Sequence, residues 1–139
     1  MVIDHLGIVI KSMEEGIRLW KDLLGYRQVT EVTTNTLQKV KVVFLKKRGS
    51  IDIKLIEPSS EFSPVSALAR RGGGLHHICF KCDSLHGELD RLCAHGGRTL
   101  NPPEPGEAFE NEDIAFVFIG QGLNIELIDT DKRANPIPI

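Results

Sequence analysis

Four polar residues interrupt otherwise apolar runs. They are His5 in Asp4-His5-Leu6-Gly7-Ile8, Lys54 in Ile53-Lys54-Leu55-Ile56, His77 in Leu75-His76-His77-Ile78, and Glu126 in Asn124-Ile125-Glu126-Leu127. They form two pairs at one spacing: His5 and His77 lie 72 positions apart, and so do Lys54 and Glu126. Two imidazoles and a carboxylate on facing strands can hold a divalent ion. Imidazole suits zinc, iron, nickel and cobalt, and a two-histidine, one-carboxylate set leaves positions open for water or substrate. Lys54 complicates that chemistry, because an ammonium has three donors and no lone pair. It ligates only when deprotonated, a change that burial favours. Three arrangements stay open. In one, the ion binds through His5, His77 and Glu126, with water completing its shell. In another, Lys54 pairs with Glu126 and stands in for the ion. In the last, Asp52, two residues from Lys54 on the same strand face, or a substrate oxygen supplies the missing ligand.

The spacing of these residues extends along the chain. At the same offset Ser12 falls on Ser84, Gly25 on Gly97, Phe44 on Phe116, Ile53 on Ile125, Leu55 on Leu127 and Ile56 on Ile128. This is the signature of an internal repeat. It divides one domain, 1–139, into a module of about 1–58, a linker 59–73, a second module of about 74–131 and a tail 132–139. Each module reads as βαβββ, giving an α+β fold of two tandem modules. An apolar strand opens each one (Ile3–Ile10, Leu75–Cys82). A helix follows, begun by a capping-box pattern at Ser12 and carrying Met13, Ile17, Trp20 and Leu24 on one face. Gly25 and Gly97 sit where a helix end favours positive φ. Extended segments follow at Tyr26–Thr33, Leu37–Lys46 and Ile51–Glu57. In the second module Ile114–Ile119 and Leu123–Asp129 are extended, and Asn101–Asp113, rich in proline and acid, is looser. Ser63-Pro64 begins a short linker helix over Val65–Arg71, and the tail, with two prolines, lies on the surface.

Strand alternation assigns the faces. Leu6, Ile8, Ile53, Leu55, Ile78, Phe80, Ile125 and Leu127 face the helices, while His5, Lys54, His77 and Glu126 face the other way. Two curved sheets sharing a cleft about a pseudo-twofold axis would bring all four into it. His76 then falls on the core side.

Composition narrows the partners. The chain has 139 residues, 41% hydrophobic and 26% charged, with net charge −2. That describes one globular domain without the basic surplus that nucleic acid or an anionic membrane attracts. No apolar run approaches the roughly 20 residues that cross a bilayer. The N-terminus lacks a charged leader, and the three cysteines, Cys79, Cys82 and Cys93, read as reduced thiols of a cytoplasmic protein. Cys79 and Cys82 are three apart on a strand and point to opposite sides, Cys82 into the core and Cys79 toward the pocket. Lys46-Lys47-Arg48 and Arg70-Arg71 read as solvated charges that could also meet substrate phosphates. His86 and His95 face solvent.

The segments Asp4–Ile8, Lys54-Leu55-Ile56-Glu57-Pro58, Gly74–Phe80 and Ile125-Glu126-Leu127 resemble the vicinal oxygen chelate (glyoxalase-like) superfamily. Within it, the Ser63-Pro64 linker and Gly74-Leu75-His76-His77-Ile78-Cys79 are most similar to the methylmalonyl-CoA epimerases. The resemblance implies paired βαβββ modules around a cleft and a single divalent ion (cobalt, nickel, zinc, manganese or iron). It also implies a small-molecule substrate such as a CoA thioester, and a homodimer. It places metal ligands at His5, His77 and Glu126, with Lys54 where the family has glutamine or glutamate. The expected function is a metal-dependent epimerase or isomerase in which Glu126 and Lys54 move protons beside a polarised carbonyl. The third strand offers no carboxylate as a second acid–base group. The alternatives within the superfamily are a non-haem Fe(II) dioxygenase using His-His-Glu, and a metal-free binding or resistance protein.

Overall fold

A computed structural model describes residues 1–138. In chain order the strands are β1 (Val2–Val9), β2 (Arg27–Gln28), β3 (Thr33–Asn35), β4 (Val40–Lys46), β5 (Asp52–Pro58), β6 (Gly74–Lys81), β7 (Arg98–Gly106), β8 (Glu112–Phe118) and β9 (Asn124–Ile128). The helices are α1 (Met13–Arg18), α2 (Ser66–Arg70) and α3 (Leu85–Ala94). The strands form one mixed sheet in the order β2-β4-β5-β1-β6-β9-β8-β7, with β3 also on β4. Its centre is the antiparallel pair β1–β6, and each of these strands has a parallel partner on its far side, β5 or β9. The arrangement is therefore symmetric about the β1–β6 seam, as two βαβββ modules require. In the first module the edge strand is interrupted: β2 and β3 pair with successive parts of β4, bridged by the Val29 N–H donating to Phe44 O at 3.0 Å.

The period-two pattern sorts side chains as the sequence indicates. Leu6, Ile8, Ile53 and Leu55 pack with Met13, Ile17 and Trp20 under α1. Ile78, Phe80, Ile125 and Leu127 pack with Leu85 and Leu89 under α3. On the opposite face a third cluster joins the modules through Val42, Phe44, Ile56, Cys79, Phe109 and Ile128. Cys79 and Cys82 thus lie on different faces. Ser12 and Ser84 cap α1 and α3, accepting from the N–H groups of Glu15 and Gly87. The first helix continues past α1 as a π-helical stretch, Leu19–Leu23.

Three expectations need correction, and that of a surface tail is extended. The positive φ after α3 belongs to Gly96, at +97°, and not to Gly97. Gly97 instead packs so close that an added Cβ would meet Leu92 O at 2.8 Å. The proline-rich segment forms a strand, β7, which tolerates Pro102, Pro103 and Pro105 because it is the outer edge of the sheet. His76 is not on the core side: the β1–β6 register shifts between Gly7↔His77 and Ile8↔Leu75, so His76 is the extra residue of a bulge and shares the cleft face with His77. The tail is not merely laid on the surface. It docks by backbone bonds, Ala134 N to Ala108 O and Ile137 N to Val29 O, each 2.9 Å, because the gap between β2 and β3 leaves Val29 O unpaired within the sheet. Among the described residues no helix is long and apolar enough to cross a membrane.

Candidate functional site

The central strands place the four polar residues at one point. Glu126 on β9 is fully buried, and its Oε1 lies 3.0 Å from His5 Nε2 on β1 and 3.0 Å from His77 Nε2 on β6. Lys54 on β5, only 2% exposed, donates from Nζ to both carboxylate oxygens at 3.2 and 3.3 Å. Residues 72 apart in sequence meet head to head because β5 and β9 flank the β1–β6 seam symmetrically. The floor of the cleft therefore holds one ammonium and one carboxylate in direct contact, with two imidazoles against the carboxylate.

The charge states follow from these contacts. Burial alone would raise the Glu126 carboxyl. The Lys54 ammonium, and after it the contacts with the two imidazoles, outweigh it and hold Glu126 well below the usual range. Burial drives His77 down to about 3 against the pull of Glu126, so its ring is neutral. His76 is lowered by burial and then by Lys54. Cys79, behind Asp4 and His5, is raised by burial and by Glu126. It is fully buried and does not line the cavity, contrary to the expectation that it faces the pocket.

The donor set fits a metal ion at three positions. His5 Nε2, His77 Nε2 and a Glu126 oxygen all lie within 4.8 Å of one another, so this buried group could hold one. His77 Nε2 is sealed from solvent and has no aligned hydrogen-bond partner, although a carboxylate oxygen is 3.0 Å away. A buried nitrogen in that state is costly unless something else engages it. Asp4 Oδ2 lies 2.7 Å from His5 Nδ1. Glu126 Oε1 lies against its other nitrogen, so both ring nitrogens face carboxylates that only accept; an ion at the group would engage the Nε2 lone pair and leave the proton at Nδ1 on Asp4, the arrangement that metal-bound histidines usually show. Asp52 pairs with Lys46 at 3.0 Å and is not among the residues whose donor atoms converge on the group. The fourth side of the group is the Lys54 ammonium.

Above this floor lies a cavity of about 310 Å³. Lys54, His76 and His77 form its polar base, and Val40, Val42, Ile56, Val65, Leu100 and Phe116 are among its apolar walls. Among the described residues no carboxylate lines it, and those of β4's residues that reach it, Val40 and Val42, are apolar. Gln38 reaches it too, with Nε2 buried and unpartnered. Lys46, Lys47, Arg48, Arg70 and Arg71 lie outside it, and His86 and His95 are exposed.

Reading the sequence misses three parts of this site. His76 enters by the bulge, which strict alternation hides. Gly7 faces His77 across the seam, where a Cβ would fall 2.1 Å from the imidazole, so only glycine leaves room for the ring. Its signal was its place two residues after His5. Arg133, from the tail, bonds Asp4 and carries no sequence signal.

Comparison with known proteins places these features in context. A family model described as the Glyoxalase/Bleomycin resistance protein/Dioxygenase superfamily matches residues 4–116. An uncharacterized Bacillus subtilis protein, YqjC, is 37% identical over 130 residues, covering 91% of each chain. The mitochondrial methylmalonyl-CoA epimerase of Dictyostelium discoideum is 28% identical over 133 residues, 94% of this chain and 78% of that one. A crystallised variant of Streptomyces coelicolor methylmalonyl-CoA epimerase, in complex with 2-nitronate-propionyl-CoA, superposes with a TM-score of 0.82 at 26% identity, covering 94% of this chain and 98% of the other.

Proposed function

The chain belongs to the Glyoxalase/Bleomycin resistance protein/Dioxygenase superfamily, and from that premise we propose that it is an epimerase-type isomerase. It moves a proton at the carbon beside the carbonyl of an acyl-CoA thioester or a related compound. The observation that carries this reading is the convergence of His5, His77 and Glu126 directly beneath an apolar cavity, whose base His77 shares with Lys54 and His76. Named relatives are epimerases of such thioesters.

In this reading His5 Nε2, His77 Nε2 and a Glu126 oxygen hold a divalent ion. A bound ion supplies positive charge that stabilises the oxygen of an enolate. The chain's own residues do the rest. The apolar walls exclude water, which strengthens every charge interaction at the floor. Lys54, the cationic side chain of the cavity base, donates a hydrogen bond to the substrate's carbonyl oxygen. As it turns toward that oxygen, it releases the Glu126 oxygen that the ion does not engage. Glu126 so becomes able to accept the α-proton, and the Lys54 ammonium is placed to return one.

The test is solvent exchange. Protein loaded with Co²⁺ should catalyse deuterium incorporation at the α-carbon of 2-substituted acyl-CoA thioesters, and Glu126→Gln should abolish it. Exchange in Glu126→Gln equal to that of wild type would refute the assignment.

The Lys54–Glu126 contact favours a second reading, in which the ammonium takes the ion's place and the cavity sequesters a ligand without turnover. Ligand binding that a chelator leaves unchanged, without α-exchange, distinguishes it.

A further inference from the structure

The segment after β9 belongs to neither repeat, yet it reaches the site. Its backbone is tied at three points, each 2.9 Å: Ala134 N donates to Ala108 O, Asn135 O accepts from Glu31 N, and Ile137 N donates to Val29 O. These ties aim Arg133 inward. Its guanidinium lies over Phe44, 4.2 Å from the ring centre, and 5.2 Å from that of Phe109. It also bonds Asp4 Oδ2, the same oxygen that meets His5 Nδ1 at 2.7 Å.

The same two phenylalanines flank His5. Phe44 meets its ring edge-on at 5.2 Å, and Phe109 stacks beside it at 6.3 Å. Arg133, Asp4, Phe44 and Phe109 therefore form one box around the imidazole. Arg133 and Asp4 are both largely buried, their side chains 17% and 14% exposed. A guanidinium held over aromatic faces is a rigid partner, so it fixes the rotamer of Asp4, and Asp4 in turn fixes the ring of His5. In the second module Phe116 meets His77 edge-on at 5.2 Å as Phe44 meets His5, but among the described residues no carboxylate and guanidinium complete the box. The residue equivalent to Asp4 is His76, whose Nδ1 meets His77 Nδ1 at 2.8 Å without a carboxylate.

We propose that Arg133 is a positioning residue of the site: by clamping Asp4, the docked tail holds His5 with Nδ1–H on Asp4 and Nε2 on the Glu126 group. This rests on the reading of His5 as a site ligand, but its central hydrogen bond can be observed without metal. Groups that orient a ligand in this way typically govern metal affinity by roughly 10–100-fold.

The experiment uses the full-length chain, ¹⁵N-labelled and kept in chelator, with the His5 signals assigned by their loss in His5→Gln. Wild type should show a slowly exchanging ring N–H at His5 Nδ1. Arg133→Met keeps an apolar stem against Phe44 and removes the guanidinium. It should lose that signal to exchange, and after chelator removal it should bind Co²⁺ roughly 10–100-fold more weakly. Arg133→Lys should recover part of both. If Arg133→Met retains the protected signal and wild-type Co²⁺ affinity while its Tm falls, the tail only braces the fold and the proposal is overturned. Should Arg133→Met fail to fold, Arg133→Gln is read by the same two signals. If wild type takes up no Co²⁺, the metal reading falls, and the His5 signal still decides this proposal.

Discussion

Lys54 Nζ and Glu126 Oε2 lie 3.2 Å apart, both buried, at positions separated by one repeat length. The symmetry that would give two similar ligands has instead given two opposite charges. Neither could be buried alone at acceptable cost. Breaking such a pair from one side typically costs about 3–5 kcal/mol, because the remaining charge keeps its desolvation penalty. Lys54→Met is therefore expected to lower stability by about that amount in metal-free protein. Lys54→Gln, which offers a neutral oxygen in place of the ammonium, should bind Co²⁺ at least roughly tenfold more tightly than wild type. Urea unfolding and metal titration measure the two effects. Equal Co²⁺ affinity in Lys54→Gln would mean that Lys54 does not oppose the ion.

Gly7 gives a second handle. An added Cβ would fall 2.1 Å from the His77 Cε1, so Gly7→Ala must push the ring aside. The local backbone is an ordinary strand, and the sheet should survive. Far-ultraviolet circular dichroism should be unchanged while Co²⁺ affinity falls by an order of magnitude or more. Full retention of affinity would remove His77 from the ligand set.

The protonation states predict how the metal-free protein responds to acid. His77 is held neutral in the folded chain down to about pH 3, whereas the unfolded histidine takes up its proton near 6.5. Between those values the unfolded state binds more protons, so stability falls as pH falls, by up to about 1.4 kcal/mol per pH unit for this residue. Glu126, also depressed, adds its own loss as pH drops below about 4.5, where the unfolded carboxyl protonates first. Urea midpoints across pH 7 to 4 with chelator present should show this slope, and His77→Phe should flatten its upper part. A flat profile in wild type would contradict the buried, neutral imidazole.

The repeat explains why so much was legible in advance. A single offset relates His5 to His77 and Lys54 to Glu126, and strand alternation points all four away from the helices, which is where they meet. Alternation is blind to bulges, however. The extra residue at His76 turns a core-side position into part of the cavity base, and the matching irregularity at Asp4 lets it reach His5 from the adjacent position. The tail could not be read at all. Its docking depends on a gap in the edge strand between β2 and β3, a tertiary feature that leaves no local pattern around Arg133. The proline-rich β7 was obscured for a related reason: propensity argues against a strand there, and only its place at the sheet edge permits one.

The most direct measurement of the central claim is the metal content of protein purified without oxygen, wild type beside Glu126→Ala. The account predicts about one divalent ion per chain in wild type, lost in the mutant, through the three donors that converge at the cavity floor. A wild type that holds no ion, even after incubation with Co²⁺, Ni²⁺, Zn²⁺, Mn²⁺ and Fe²⁺, would contradict it and leave Lys54 as the cation of this site.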